Sequence, residues 1–385
     1  MRRKAAITGI GETSFSKDSG MSDKALQLQA VERAIADAGL ARDEIDGLIP
    51  SPHGSGFTVE GFAENLGLRD LRFSVTIHFG GANGCTAIHA AAMAIAAGAA
   101  RHVVVVAGRN GYSGSSKISA RPQLQPGNFE VTREFESPFG ATVPMHFYAL
   151  IARRHMHEYG TTTRQMGSVA VAMREHALKN EKALMKKPIT IDDHEHSSEI
   201  VRPFRLLDCC IESDGAAAYI VSAAETARDR PNRPAWIIGC AEGHPDSPTS
   251  VATRQDLLRS GVTIAASRAL TMADMAPSDL RAGYLYDPFT FMVIAQLENI
   301  GICKAGEGGP FVESGGIRLD GRFPVNTHGG LHSQAHSMAG INHITEAVKQ
   351  LRGTAGQAQL LTPSPLVVTG TGDFGDGAVA VLAND

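Results

Sequence analysis

Thiols are scarce in this chain. Five cysteines among 385 residues, an odd number with Cys209 and Cys210 adjacent, do not make a disulfide framework. Cys85, Cys240 and Cys303 stand alone, so no zinc-ribbon spacing exists either. Net positive charge is missing: 36 Lys and Arg against 40 Asp and Glu leave −4, no electrostatic footprint for a nucleic-acid backbone. Long apolar runs are missing as well. The longest small-apolar stretch, Ala90 to Ala100, is too short to span a bilayer and is closed by Arg101-His102. Met1-Arg2-Arg3-Lys4 is basic, but Ala5 to Phe15 is broken by glycines and polar residues and lacks a secretory apolar core. These absences predict a cytoplasmic protein with neither a membrane nor a nucleic-acid partner. What is present is a globular composition, 43% apolar and 20% charged, in a chain long enough for two domains.

Lys4 to Gly9 reads as a strand entering a glycine turn. Ser22 opens a helix with Leu26, Leu28, Val31 and Ile35 on one side and Gly39 just past its end. Ile45 to Ile49 and Phe73 to Ile77 read as strands. Gly80-Gly81-Ala82-Asn83-Gly84 then opens an Ala-rich helix to about Ala97, and the unbroken run Val103 to Ala107 fits a strand buried on both faces. Strands alternating with helices predict an α/β fold with mostly parallel sheets. The pattern recurs. Arg33 through Ile45 is matched by Arg268 through Leu280 at a constant offset of 235, and the helix after Gly80-Gly81 pairs with one after Gly329-Gly330. One recurrence per half suggests a duplicated unit rather than a solenoid. The expected organisation is an N-terminal half, residues 1–230, and a C-terminal half, residues 231–385, joined at Pro-Asn-Arg-Pro. The first half contains an inserted loop domain at about 110–203, rich in Arg, Lys, His and Met, that covers a site.

Two motifs invite simpler readings than they first suggest. Gly370-Thr371-Gly372-Asp373-Phe374-Gly375 matches the dinucleotide fingerprint, but only ten residues follow, too few for the helix and strand that would complete the unit. A glycine turn bringing backbone close to a ligand fits better. Asp192-Asp193-His194-Glu195-His196 lacks metal-binding spacing and reads as an ion-paired loop. Cys209-Cys210 reads as a buried small pair ahead of the strand Ala216 to Val221.

Three further segments resemble the thiolase superfamily. In the Gly80 to Gly108 strand–helix–strand, Ala82-Asn83-Gly84 matches the family's small-small-Gly triplet, which puts Gly81 where a thiolase has its acyl-accepting cysteine. Cys85 lies one turn further in and reads as a core thiol. Leu285-Tyr286-Asp287-Pro288-Phe289-Thr290 resembles the catalytic His- or Asn-containing motif, with Tyr286 at that position. Asn326-Thr327-His328-Gly329-Gly330 followed by Ala335-His336-Ser337 resembles the family's Gly-Gly element and Gly-His-Pro turn, so His336 takes the place of the catalytic histidine. The resemblance implies a duplicated thiolase fold with αβαβα layers.

Without a thiol at position 81 no acyl-enzyme forms there, and the covalent step of thiolysis is lost. The departures are similar to those of a subgroup named for lipid-transfer proteins, whose wording recurs at Ile77 to Gly81, Lys187 to Ile191, Arg205 to Cys210, Asn326 to Gly330 and Gln350 to Gly353. That resemblance implies retro-aldol cleavage of a 3-hydroxyacyl-CoA thioester carrying a steroid or other polycyclic side chain, with no cofactor beyond the substrate's CoA and no metal. The subgroup uses two tyrosines; Tyr286 matches one and His336 stands at the other. Tyr286 and His336 are thus the expected catalytic pair, and Gly81, Asn326, His328, Gly330 and Gly372 the expected substrate contacts. Backbone N–H groups near Gly81 and the Thr369 to Gly372 turn would form an oxyanion site. For His328 a structural hydrogen bond is an equal alternative. An unperturbed tyrosine, with a pKa of roughly 10, is a poor base, whereas imidazole titrates nearer neutrality. A thiolase or acyltransferase using Cys85 or another thiol is the alternative enzyme, and a silent acyl-CoA or lipid-binding subunit the alternative from another class. The resemblance further implies a homodimer core with Val103 to Ala107 near the subunit contact. It also implies a small OB-fold/zinc-ribbon partner, two of each chain in the assembly.

Overall fold

The computed structural model describes residues 2–51, 58–114, 130–246, 250–336, 339–372 and 375–384. Ser337 of the histidine turn and Asp373-Phe374 of the glycine turn lie outside the described residues. The chain begins β1 (Ala5–Glu12), α1 (Asp23–Ala38), β2 (Gly47–Pro50), α2 (Val59–Leu66), β3 (Phe73–Ser74), α3 (Asn83–Ala96) and β4 (His102–Asn110). Next come α4 (Pro144–Tyr159), α5 (Thr163–Leu178), α6 (Ile191–Glu195) and a small ribbon of β5 (Glu199–Val201) and β6 (Phe204–Arg205). β7 (Asp214–Ala223) and α7 (Ala224–Ala227) lead to β8 (Ala235–Gly243), α8 (Gly261–Ala273), β9 (Ala282–Tyr284) and α9 (Thr290–Ile300). The chain closes with α10 (Gly308–Glu313), α11 (Gly330–Ser333), α12 (Ile341–Arg352), β10 (Leu366–Thr371) and β11 (Gly377–Ala383).

Local signals account for the helix ends. The Ser22 side chain accepts from Ala25 N to cap α1, and Gly39 closes it at φ +63°. The strands explain their own composition. In β4, Val103, Val105 and Ala107 face a core built on α3 and α12, while Val104 and Val106 face another built on α1 and α2. In β10, Leu366 and Val368 face α3 and α12, while Val367 joins α8 and α9 on the far side. The layers therefore run α1/α2, first strands, α3/α12, second strands, α8/α9, with α3 and α12 covered on both sides.

The duplication extends to close packing. A Cβ on Gly9 of β1 would overlap the Ala34 carbonyl of α1, and one on Gly239 of β8 would overlap the Ala269 carbonyl of α8. The glycines let each helix lie directly on its strand. Gly9 and Gly11 thus sit inside β1, which runs on to Glu12, and not in a turn after it.

Two sequence expectations change. The sheet is not mostly parallel: its order is β3-β2-β4-β7-β1-β8-β11-β10-β9. Among the described strands only β2·β3, β2·β4 and β9·β10 pair in parallel; β7 and β11 run antiparallel to both neighbours, and β1 and β8 to each other. The helix matching α3 is not the one after Gly329-Gly330. That segment makes the four-residue α11, and the long helix α12 starts after Gly340. β4 is an interior strand between β2 and β7, and the sheet ends at β3 on one side and at β9 on the other. Among the described residues no helix is long and apolar enough to cross a membrane.

Candidate active site

Tyr286 sits in the turn between β9 and α9, and its backbone is held from both sides. Its N–H donates to Thr369 Oγ1 (3.1 Å), Thr369 Oγ1 donates to Gln296 Oε1 (2.5 Å), and Gln296 Nε2 donates to the Tyr286 carbonyl (2.7 Å). One residue earlier, the Asn326 amide donates to Leu285 O and accepts from Leu285 N, both at 2.8 Å. The side chain is almost fully buried. Its ring occupies the space beside Gly81, at the start of the α3 segment: a Cβ at position 81 would overlap Cε1, Cζ and Oη of Tyr286. Two motifs distant in sequence are one unit in space.

His336 completes it. Its Nε2 lies 3.3 Å from Tyr286 Oη, with the rings edge-on at 75°. The His336 N–H donates to Ser213 Oγ (2.9 Å), and Nδ1 lies 3.0 Å from Cys210 Sγ.

The remaining candidates separate from this pair. Gly81 is at the site. Asn326 is fully buried and its amide is used by Leu285, so it is a clamp on the Tyr286 turn and not a substrate contact. His328 is fully buried and its Nε2 lies 3.0 Å from His343 Nδ1, whose Nε2 lies 3.0 Å from Asp287 Oδ1. Burial, then the neighbouring His343, push the His328 pKa well below the ordinary histidine value, so it stays neutral in this chain. His328 is thus engaged by a structural hydrogen bond to His343. Gly330 (φ +61°) is also behind the site: a Cβ there would overlap the Asp287 carboxylate, which accepts from Leu331 N at 3.0 and 3.2 Å. The Gly372 N–H donates to Asp376 O (2.8 Å) and its carbonyl accepts from Tyr148 Oη (2.6 Å), so Gly372 offers no amide to an oxyanion. Both of its backbone groups are engaged.

The segment between β4 and β7 packs against this centre. Tyr148 of α4 reaches Gly372, Phe204 of β6 stacks on Phe289 at 5.0 Å, and Arg174 of α5 donates to Ser333 Oγ (3.0 Å). The glycine motif at 370–375 joins β10 to antiparallel β11, Thr371 opposite Gly377, so no helix follows it. In the acidic-histidine stretch His194 is buried against Asp208 (2.8 Å) while His196 is exposed, so the two imidazoles diverge.

The thiols differ in placement. Cys85 is buried one turn inside α3, with Sγ 3.5 Å from Val368 O, and burial first, then Cys240, raise its pKa far above the ordinary value. A thiol so held is a poor nucleophile. Cys210 is not an inert core residue, since its sulfur meets His336. In the sequence it stood out by its adjacency to Cys209 and within Arg205 to Cys210; the contact arises because Cys210 N donates to Pro288 O and Ile211 N to Leu331 O, lacing this segment to those that carry Tyr286 and His336.

Comparison with known proteins places this geometry in context. Residues 243–384 match the family described as thiolase C-terminal domain-like. The chain is 40% identical to the steroid side-chain-cleaving aldolase of Thermomonospora curvata, over 96% of this chain and 95% of that one. It is also 40% identical to the 17-hydroxy-3-oxo-4-pregnene-20-carboxyl-CoA lyase of Mycobacterium tuberculosis, over 96% of this chain and 97% of that one. Among solved structures, an Ltp2–ChsH2(DUF35) aldolase superimposes with a TM-score of 0.92 at 37% identity, covering 100% of this chain and 98% of the other.

Proposed function

The chain belongs to the thiolase-like family of steroid side-chain-cleaving aldolases, and from that premise we propose that Tyr286 and His336 carry its chemistry. It has the thiolase fold and is a carbon–carbon lyase acting on acyl-CoA thioesters. The substrate we assign is a 3-hydroxyacyl-CoA whose hydroxyl-bearing carbon belongs to a steroid ring. The observation that carries the catalytic assignment is the filling of the nucleophile's place by the Tyr286 ring against Gly81. That arrangement replaces covalent chemistry with proton transfer.

Tyr286 Oη takes the substrate hydroxyl proton while passing its own to His336 Nε2, so a free phenolate need not accumulate. The C–C bond breaks, the hydroxyl carbon becomes a ketone, and the electron pair passes into the thioester as an enolate. The proton held on His336 returns through Tyr286 to the enolate carbon, giving a short acyl-CoA. Protons and electrons balance without a redox partner, and the reading includes no cofactor beyond the CoA of the substrate. Incubation with a 17-hydroxysteroid bearing a 20-carboxyl-CoA side chain should yield the 17-ketone and propionyl-CoA. Release of acetyl-CoA from a 3-oxoacyl-CoA plus CoA, with no ketosteroid, would favour a thiolase instead.

Cys85→Ala is expected to leave turnover within about twofold, because Cys85 lies away from the reacting groups. The buried truncation should lower stability by about 1–2 kcal/mol, read as a shift in thermal unfolding. Mass-spectrometric capture of an acyl group on Cys85 would refute this placement.

The assembly follows the same premise. We assign a homodimer core with Val103 to Ala107 near the subunit contact, on the side of the sheet that ends at β3, and a small OB-fold/zinc-ribbon protein on each protomer. The match to an Ltp2–ChsH2(DUF35) aldolase supports such a partner. Co-expression should give a complex of two chains of each kind by light scattering, with zinc following the partner, and should rescue an isolated chain that is nearly inactive. Full activity from the chain alone would overturn the dependence. The assembly is assigned to the cytoplasm, in keeping with five unpaired thiols.

A further inference from the structure

The His336 ring has two nitrogens and, when neutral, one proton between them. Both nitrogens are occupied: Nε2 faces Tyr286 Oη at 3.3 Å and Nδ1 faces Cys210 Sγ at 3.0 Å. Either tautomer is compatible with these distances, but the two have opposite consequences. With the proton on Nε2 the ring donates to Tyr286 and has no lone pair with which to receive the phenolic proton. With the proton on Nδ1, Nε2 presents its lone pair and Cys210 Sγ is the acceptor behind it. A phenol O–H is a stronger donor than a thiol S–H, so the ring's one lone pair is better used opposite the phenol, with the N–H turned to the sulfur.

We propose that Cys210 is a positioning residue that holds His336 in the Nδ1–H tautomer, with the Nε2 lone pair aimed at Tyr286. The inference rests on the aldolase reading above for its catalytic meaning, but the tautomer is a property of the free protein. The sulfur is placed by backbone. Cys210 N donates to Pro288 O (2.9 Å), two residues past Tyr286, and Ile211 N donates to Leu331 O (3.0 Å). Ser213 Oγ then accepts from His336 N, so the segment that carries Cys210, just ahead of β7, touches the histidine segment twice. The charge state of the sulfur also fits. Burial is the first cause that keeps the thiol far above its ordinary pKa; Cys209, Asp287 and Glu212 act in the same sense and only Arg109 opposes them. The sulfur therefore remains neutral. A neutral acceptor fixes the orientation of the ring without raising its basicity as a carboxylate at this position would.

Nitrogen-15 NMR of the histidine-labelled complex with its partner reads the tautomer directly. The parent protein should show His336 protonated at Nδ1. Cys210→Ala should show a mixture, with kcat lowered about tenfold, the scale of one hydrogen bond, and KM within about twofold. Cys210→Ser, whose hydroxyl also accepts from Nδ1–H, should restore the single tautomer and most of kcat; melting curves establish that both variants fold. An unchanged tautomer and kcat in Cys210→Ala would overturn the inference. So would an acyl group trapped on Cys210, which would make it a nucleophile. Absence of ketosteroid formation by the parent complex would count against the aldolase reading alone, since the spectrum is recorded without substrate.

Discussion

Tyr286→Phe is expected to lower turnover by a factor on the order of 10² to 10⁴, the range typical of a general acid–base group. The change removes one oxygen and leaves the ring against Gly81, and the backbone bonds to Thr369 and Gln296 do not involve the hydroxyl. Fold and ligand binding should therefore persist. Loss should fall on kcat, with KM nearly constant, because the relay is completed only as the substrate proton moves. A melting temperature close to the parent's would show that packing is intact. Turnover within twofold of the parent would reduce Tyr286 to a packing residue and leave His336 without its proton source.

The sequence made one side of this centre legible and hid the other. The missing thiol at position 81 and the tyrosine at position 286 were each readable from a short motif. Their meeting was not, because it depends on α3 and the β9–α9 turn converging at the ends of different strands. The repeat at constant offset revealed the two outer helix–strand units, and the continuous apolar run of β4 revealed a strand with a core on each face. Strand direction was less accessible. β7 and β11 carry the same apolar composition as parallel strands, and only the topology makes them antiparallel. Asn326, His328 and Gly330 show the same limit at the site. Their motif identifies residues near the chemistry, but a polar side chain reads alike whether it faces a ligand or clamps a neighbouring turn. Here all three are directed to the support of Leu285 and Asp287. Cys210 is the converse case: a residue that looks like filler acquires a partner through backbone hydrogen bonds that no local pattern announces.

Gly81→Ala should be damaging out of proportion to one methyl group. The backbone at position 81 is not in the left-handed region, so alanine is sterically allowed there and the cost comes from what the methyl meets. It meets the Tyr286 ring, overlapping Cε1, Cζ and Oη. Asn326, Thr369 and Gln296 pin the backbone on either side of the ring. Overpacking of this kind costs about 1–3 kcal/mol. The catalytic loss should be larger, at least about 10² in kcat, because displacing the phenol breaks its alignment with His336 Nε2. Pairing Gly81→Ala with Tyr286→Ala tests the cause. If the clash is responsible, the double variant is more stable than the sum of the single losses predicts, while activity stays low since the phenol is gone. Gly81→Cys alone should likewise fail to yield an acyl-enzyme, because its thiol must share the space the ring already fills. Gly81→Ala with turnover within threefold of the parent would show that Tyr286 can move aside, and the close fit of glycine to tyrosine would no longer explain the absence of a thiol at position 81.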